Sequence, residues 1–222
     1  MKYTLFVRFA VLSVVMVAST MLGGCNIIAP ALYITRGLPK VPAEHTLAKD
    51  RPTVIFVDDR ASVLPRRTLR GNLASRAEME LLASKSLTNM IDAASIQSAA
   101  ARDTSEKGLP IVTLAQSVKA EVVIYVSMDR FGLSQDGVTY QPYAAARVKV
   151  IDAKAGDARV WPTEFEGKAV SVTMPVRQGD VPKTAVAQAK AMEDLAAELG
   201  SAVARLFYEH EGRESISKMR PE

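Results

Sequence analysis

Side chains able to do chemistry are few and widely spaced in this chain of 222 residues, which holds one cysteine, Cys25, and two histidines, His45 and His210. A lone cysteine excludes an internal disulfide. A zinc site asks for about four ligands, and no HExxH, CxxC or spaced histidine cluster accompanies Cys25. A catalytic thiol needs a histidine beside it in a folded pocket, whereas Cys25 closes an apolar leader. Asp58 and Asp59 invite an acid–base reading, but neighbouring strand residues point to opposite faces and cannot share a proton unless the strand has ended. A strand-terminating turn is the plainer role. Arg60, Arg66, Arg67 and Arg70 follow, with Lys49 and Arg51 near in sequence. This patch suits an acidic partner, lipid headgroups or cell-wall carboxylates; a solvated loop is the alternative. GxSxG, GxxxxGK[ST] and GxGxxG are absent, so hydrolase, P-loop and dinucleotide readings lack support. No catalytic residue, metal site or cofactor is assigned.

The surroundings of Cys25 suggest another use. Lys2 and Arg8 precede an apolar run from Phe9 to Val17, which continues through small residues to Leu22. Charged, then apolar, then small is the layout of a secretory signal peptide over residues 1–24. The apolar core is shorter than the roughly 20 residues of a membrane-spanning helix. Leu22-Gly23-Gly24-Cys25 resembles the lipobox of bacterial lipoproteins. That resemblance implies cleavage between Gly24 and Cys25 and lipidation of Cys25 with a diacylglycerol and a further acyl chain. A signal peptide cut elsewhere, or an anchor helix, is the bland alternative. One acyl chain holds a protein only marginally, at about 0.8 kcal/mol per buried methylene, so several chains are needed for stable anchoring. Asn26, where an aspartate would favour inner-membrane retention in enterobacterial lipoproteins, leans the expectation toward the outer membrane.

Two of the 28 basic residues lie in the leader, so residues 25–222 carry 26 basic against 24 acidic side chains. The pI of 9.2 therefore overstates the basicity of the mature chain. It has no basic stripe with interleaved aromatics, so nucleic acid is not an expected partner. Residues 25–51 contain Pro30, Pro39 and Pro42 without a sustained period and read as a tether, with a reach of about 80 Å if fully extended.

The elements that must position the candidate residues follow from 52 onward. The β-branched run 52–59, PTVIFVDD, reads as a buried strand. Leu69, Leu73, Ala77, Leu81 and Leu82 recur at helical spacing, so a helix is expected to about 85. A brief strand within 86–92 and helices near 93–102 and 110–118 come next. Val122 to Val126 is apolar on both faces, as in a central strand. Ala146, Val148 and Val150 alternate with Arg147 and Lys149, giving a strand with one wet face. Gly156 serves the following hairpin turn. The partner strand slips phase between Phe165 and Val170, which suggests a bulge at 167–169. Met192, Leu195, Ala196, Leu199, Val203, Leu206 and Phe207 stripe a long helix over 182–209, with Asp180 as its cap and His210 at its carboxyl end. The expected fold is α/β (α+β) in the order β-α-β-α-α-β-β-β-α: a mixed sheet of about five strands covered by helices. Residues 52–212 form one domain, with a tail from 213.

That order resembles the periplasmic domain shared by the curli-secretion channel lipoprotein, the lipoprotein activator of penicillin-binding proteins and the N-terminal domain of the Tol translocation protein. The likeness rests on VIFVDD before a helix, on LAQSVKAEVVIYVSMDRF, and on the hairpin ARVKVIDAKAGDARVW ending at Trp161. It implies docking and assembly without catalysis. The turn between the third and fourth strands, SQDGVTYQP, is too short to supply barrel hairpins. The expectation is a membrane-anchored, periplasm-facing envelope adaptor that binds another protein. A subunit of an oligomeric secretion or transport complex is the first rival, and an unfamiliar enzyme the second.

Overall fold

The computed structural model describes residues 40–103, 108–156, 158–176 and 179–212. The leader, Gly24, Cys25, the tether up to residue 39 and the tail from 213 lie outside them. The elements are β1 (Lys40–Val41), β2 (Thr53–Asp58), α1 (Thr68–Ala83), β3 (Met90–Ile91), α2 (Ala93–Ala101), α3 (Ile111–Ser117), β4 (Val122–Gly132), β5 (Tyr143–Asp152), β6 (Ala158–Trp161), β7 (Lys168–Thr173), α4 (Ala185–Arg205) and β8 (His210–Glu211). Two compact units result. In the first, β1 and β8 pair antiparallel, Lys40 opposite Glu211. His210 thus lies in a strand, β8, past the end of α4 at Arg205. The second unit, Pro42–Glu209, holds every other element.

That second unit is the expected mixed α/β architecture. Its sheet runs β3-β2-β4-β5-β6, with β7 also on β5. β2 is parallel to β3 and β4, while β5 is antiparallel to β4, β6 and β7. All six residues of β2 are buried, because both faces are covered. Ile55 and Val57 join a core with Leu69, Leu73 and Leu81 of α1 and Leu195, Leu199 and Val203 of α4. Val54 and Phe56 face a second core with Ile96 of α2 and Leu114 of α3. Alternation along the strand therefore sorts each side chain to one of two helical layers.

The connections explain the layering. The chain leaves β2, crosses through α1 to β3, then returns past β2 through α2 and α3 to β4. Right-handed crossovers in opposite directions put their helices on opposite faces. Packing of α1 on α4 is close at Gly200, where an added Cβ would lie 2.3 Å from the Leu73 carbonyl oxygen.

Several local expectations are refined. The phase slip after Trp161 is a break into two strands, with a register shift opposite Val150 and Ile151, so the sheet has six strands. Gly156 takes φ +70° in the hairpin turn, and Asp152 Oδ1 accepts from the Lys154 and Ala155 amides. Thr184, not Asp180, caps α4, its hydroxyl accepting from the Ala187 amide. Residues 42–51 already belong to this unit: Leu47 is buried, the Glu44 and His45 amides donate to the Leu206 carbonyl, and His45 stacks on Trp161.

Candidate functional site

The carboxyl end of β2 is where the sequence's charged residues converge. Asp58 keeps the phase of Phe56 and so faces the α2–α3 layer, where the Tyr125 hydroxyl donates to its Oδ2 at 2.5 Å. Arg60 Nε pairs with the same oxygen at 3.0 Å. Burial, then the hydrogen bond to Asp58, pushes the Tyr125 phenol above its ordinary value, so Tyr125 stays a proton donor. Asp59 turns into the following loop. Its Oδ1 accepts from the Val63 amide at 2.8 Å, and its Oδ2 from the Leu64 amide at 3.3 Å. Capturing downstream amides is the usual work of aspartate at a turn. Arg70, on the first turns of α1, reaches back to Asp59 Oδ2 and O, each at 3.4 Å. The two carboxylates therefore diverge and share no proton.

A cavity of about 600 Å3 opens here, between the start of α1 and the length of α2. Phe56, Leu109 and Leu114 give it apolar wall; Asp58, Asp59, Arg60, Arg67, Arg70, Gln97 and Ser98 give it polar lining. Gln97 also donates to the Val57 carbonyl at 2.9 Å, tying α2 to the end of the strand. β2 exits to α1 on one face and β3 exits to α2 on the other. Crevices at such switch points, outside the carboxyl ends of parallel strands, are the usual ligand sites of open α/β sheets.

The four expected arginines are divided by this geometry. Arg60, Arg67 and Arg70 line the crevice. Arg66 turns away, donating to the Ala189 carbonyl at 2.9 Å and pairing with Glu193 at 3.4 Å, both on α4. Arg51 precedes β2 and so lies a strand's length, about 20 Å, from the arginines that follow it. There it grips Asp152 and Glu121. Gln97 and Ser98 on α2 and Asp103 just past it were not singled out by sequence, because they arrive after a crossover and carry no motif.

Among the described residues, the crevice offers donors without a poised base. Asp58 is held by Tyr125 and Arg60, and Asp59 by backbone amides and Arg70. Neither His45 nor His210 lines the cavity, and among the described residues its hydroxyls are those of Thr68 and Ser98. Among the described residues, no group of three His, Cys, Asp or Glu side chains is placed to hold a metal. No helix among them is long and apolar enough to cross a membrane.

No family model matches the chain, and no curated protein matches it. Its fold has distant likenesses among solved structures. A dodecamer of a PelC point variant from Paraburkholderia phytofirmans is 15% identical, with 76% of this chain and 94% of that one covered at a TM-score of 0.43. The hypothetical protein CT253 from Chlamydia trachomatis is 16% identical over 70% of this chain and 98% of that one, TM-score 0.39. Lipoprotein GNA1162 from Neisseria meningitidis is 10% identical over 68% of this chain and 97% of that one, TM-score 0.37. At such scores these likenesses lend nothing to a functional assignment, which rests on the crevice and on the residues around Cys25.

Proposed function

We propose that this chain is a lipid-anchored protein of the cell envelope whose α/β unit holds a partner protein and converts no substrate. The observation that carries the binding role is the crevice after β2: among the described residues its carboxylates are engaged internally, its arginines keep donors in reserve, and no free base accompanies its hydroxyls. Anchoring rests on Leu22-Gly23-Gly24-Cys25. A tether raises the local concentration of the domain near other envelope proteins, so weak docking suffices. Asn26 after the cysteine favours the outer membrane as the anchoring site.

A second reading, a subunit of an oligomeric secretion or transport complex, is favoured by the sheet edge. Among the described residues strand β7 pairs with β5 alone, and a strand from another chain could take the other edge. Two measurements separate these ideas. Cys25→Ser should move the chain from the membrane fraction to the soluble periplasmic fraction, and unchanged membrane retention would end the lipoprotein reading. Light scattering of the full-length protein in mild detergent should give a monomer, whereas a ring-sized mass would replace the adaptor with the oligomeric complex.

A further inference from the structure

We propose that the crevice at the carboxyl end of β2 binds an oxyanion, a carboxylate or a phosphate, carried on a ligand with an apolar part. The proposal deepens the adaptor reading and rests on it only for the expectation that the anion belongs to a protein. Among the described residues three arginines and three aspartates line the cavity, so their formal charge alone favours nothing. Direction decides. Asp58 and Asp59 turn inward to Tyr125, Arg60, the Val63 and Leu64 amides and Arg70. Asp103 Oδ2 accepts from the Leu109 amide at 2.5 Å. The carboxylates are thus engaged with the protein itself.

The guanidinium groups are not used up in the same way. Arg67 is exposed at the mouth, and its guanidinium makes no hydrogen bond or ion pair with the described residues. Arg60 meets Asp58 with Nε, leaves its side chain 65% exposed, and extends Nη2 toward Gly108. Arg70 meets Asp59 only through Nη2, by long contacts of 3.4 Å. Its Nε is the only buried side-chain nitrogen or oxygen among the described residues without a hydrogen-bond partner. Buried donors without acceptors are rare and call for an explanation. Planar guanidinium forks match the paired oxygens of carboxylate and phosphate. Phe56, Leu109 and Leu114 beside them supply the surface for an apolar group.

Gly71 provides a way to close the crevice without harming the fold. It lies on α1, lines the cavity, and an added Cβ there meets nothing within 4 Å. A larger side chain therefore fills the opening, and leucine also favours the helix over glycine.

The test is an amide-shift titration of the full-length chain in detergent with three probes: N-acetyl-Leu-Glu-Leu-amide, the same peptide with glutamine for glutamate, and inorganic phosphate. The expected result is saturable shifts at Thr68, Gly71 and Ser98 with the glutamate peptide, and at least tenfold weaker binding of the glutamine peptide. Arg67→Gln should weaken the glutamate peptide about tenfold, and Gly71→Leu should abolish its binding while the rest of the spectrum stays native. Shifts with phosphate at the same amides, lost in the same variants, would support the site and assign the anion to phosphate. Absence of crevice shifts with all probes would overturn the proposal, as would shifts indifferent to charge, Arg67→Gln and Gly71→Leu. Such a failure leaves the behaviour of Cys25→Ser at the membrane unaltered, so the ligand assignment and the anchored-adaptor reading fail separately.

Discussion

At the amino end of β2, Arg51 grips Asp152 through two nitrogens at 2.6 and 2.8 Å and Glu121 through a third at 3.1 Å. At the carboxyl end, Arg70 touches Asp59 from one nitrogen at 3.4 Å, while the Arg67 guanidinium beside it pairs with none of the described residues. Both ends combine arginine with aspartate, yet the first is a clamp and the second an opening. The clamp joins the segment before β2 to the start of β4 and the end of β5, so its donors are consumed in fixing the sheet. The opening lies where chain exits diverge, so no neighbouring strand arrives to consume its donors. Position in the topology, more than residue type, separates a structural arginine from an available one.

The contrast can be broken at several points. Gly200→Ala should have the largest effect, because the new methyl meets the Leu73 carbonyl and pushes α1, the crevice wall, away from α4. Overpacking of this kind costs about 3 kcal/mol, which chemical denaturation of the full chain would register. Asp59→Ala should cost about 2 kcal/mol, since the Val63 and Leu64 amides and Arg70 lose their acceptor. That loss marks Asp59 as the structural half of the crevice.

Arg51→Ala sharpens the comparison through its pH dependence. The hydrogen bonds from Arg51 hold the Asp152 carboxyl down to about 2. A depressed carboxylate pKa contributes stability above the unfolded value of about 4, and that contribution disappears as pH falls through about 2. Loss of the Arg51 fork should therefore cost about 1 to 2 kcal/mol near neutrality, and the difference between variant and parent should shrink toward pH 2 in matched denaturation curves. Arg67→Gln should change stability by less than about 0.5 kcal/mol, because nothing described depends on it. A large loss there would mean that Arg67 is structural and the two ends are alike.

Strands with unambiguous patterns were legible before the structure. The buried run of β2, the two-faced apolar run of β4 and the alternation of β5 all stand where periodicity put them, as does the stripe on α4 through Val203, while the helix runs only over Ala185–Arg205 and Leu206 and Phe207 follow it. The crevice was legible only in part. Asp58, Asp59, Arg60, Arg67 and Arg70 meet because they flank a single strand-to-helix turn, which local sequence reveals. Arg66 departs although it adjoins Arg67, because the α1–α4 packing places carbonyl and carboxylate acceptors on its side. Gln97, Ser98 and Asp103 reach the site through a second crossover, and a polar residue on a short helix carries no signal of what that helix will face. The break between β6 and β7 was visible as a phase slip whose cause, a strand ended and another begun, depends on pairing with β5.

Site-specific photocrosslinking in intact cells tests the central claim most directly. A benzophenone side chain is placed in the full-length chain at Thr68, beside the crevice, or at Lys154, beside the clamp. The account predicts one discrete adduct with another envelope protein from position 68, lost when Arg67→Gln is added, and none from position 154. Equal adducts from both positions, adducts indifferent to Arg67→Gln, or adducts only with further copies of this chain would contradict it.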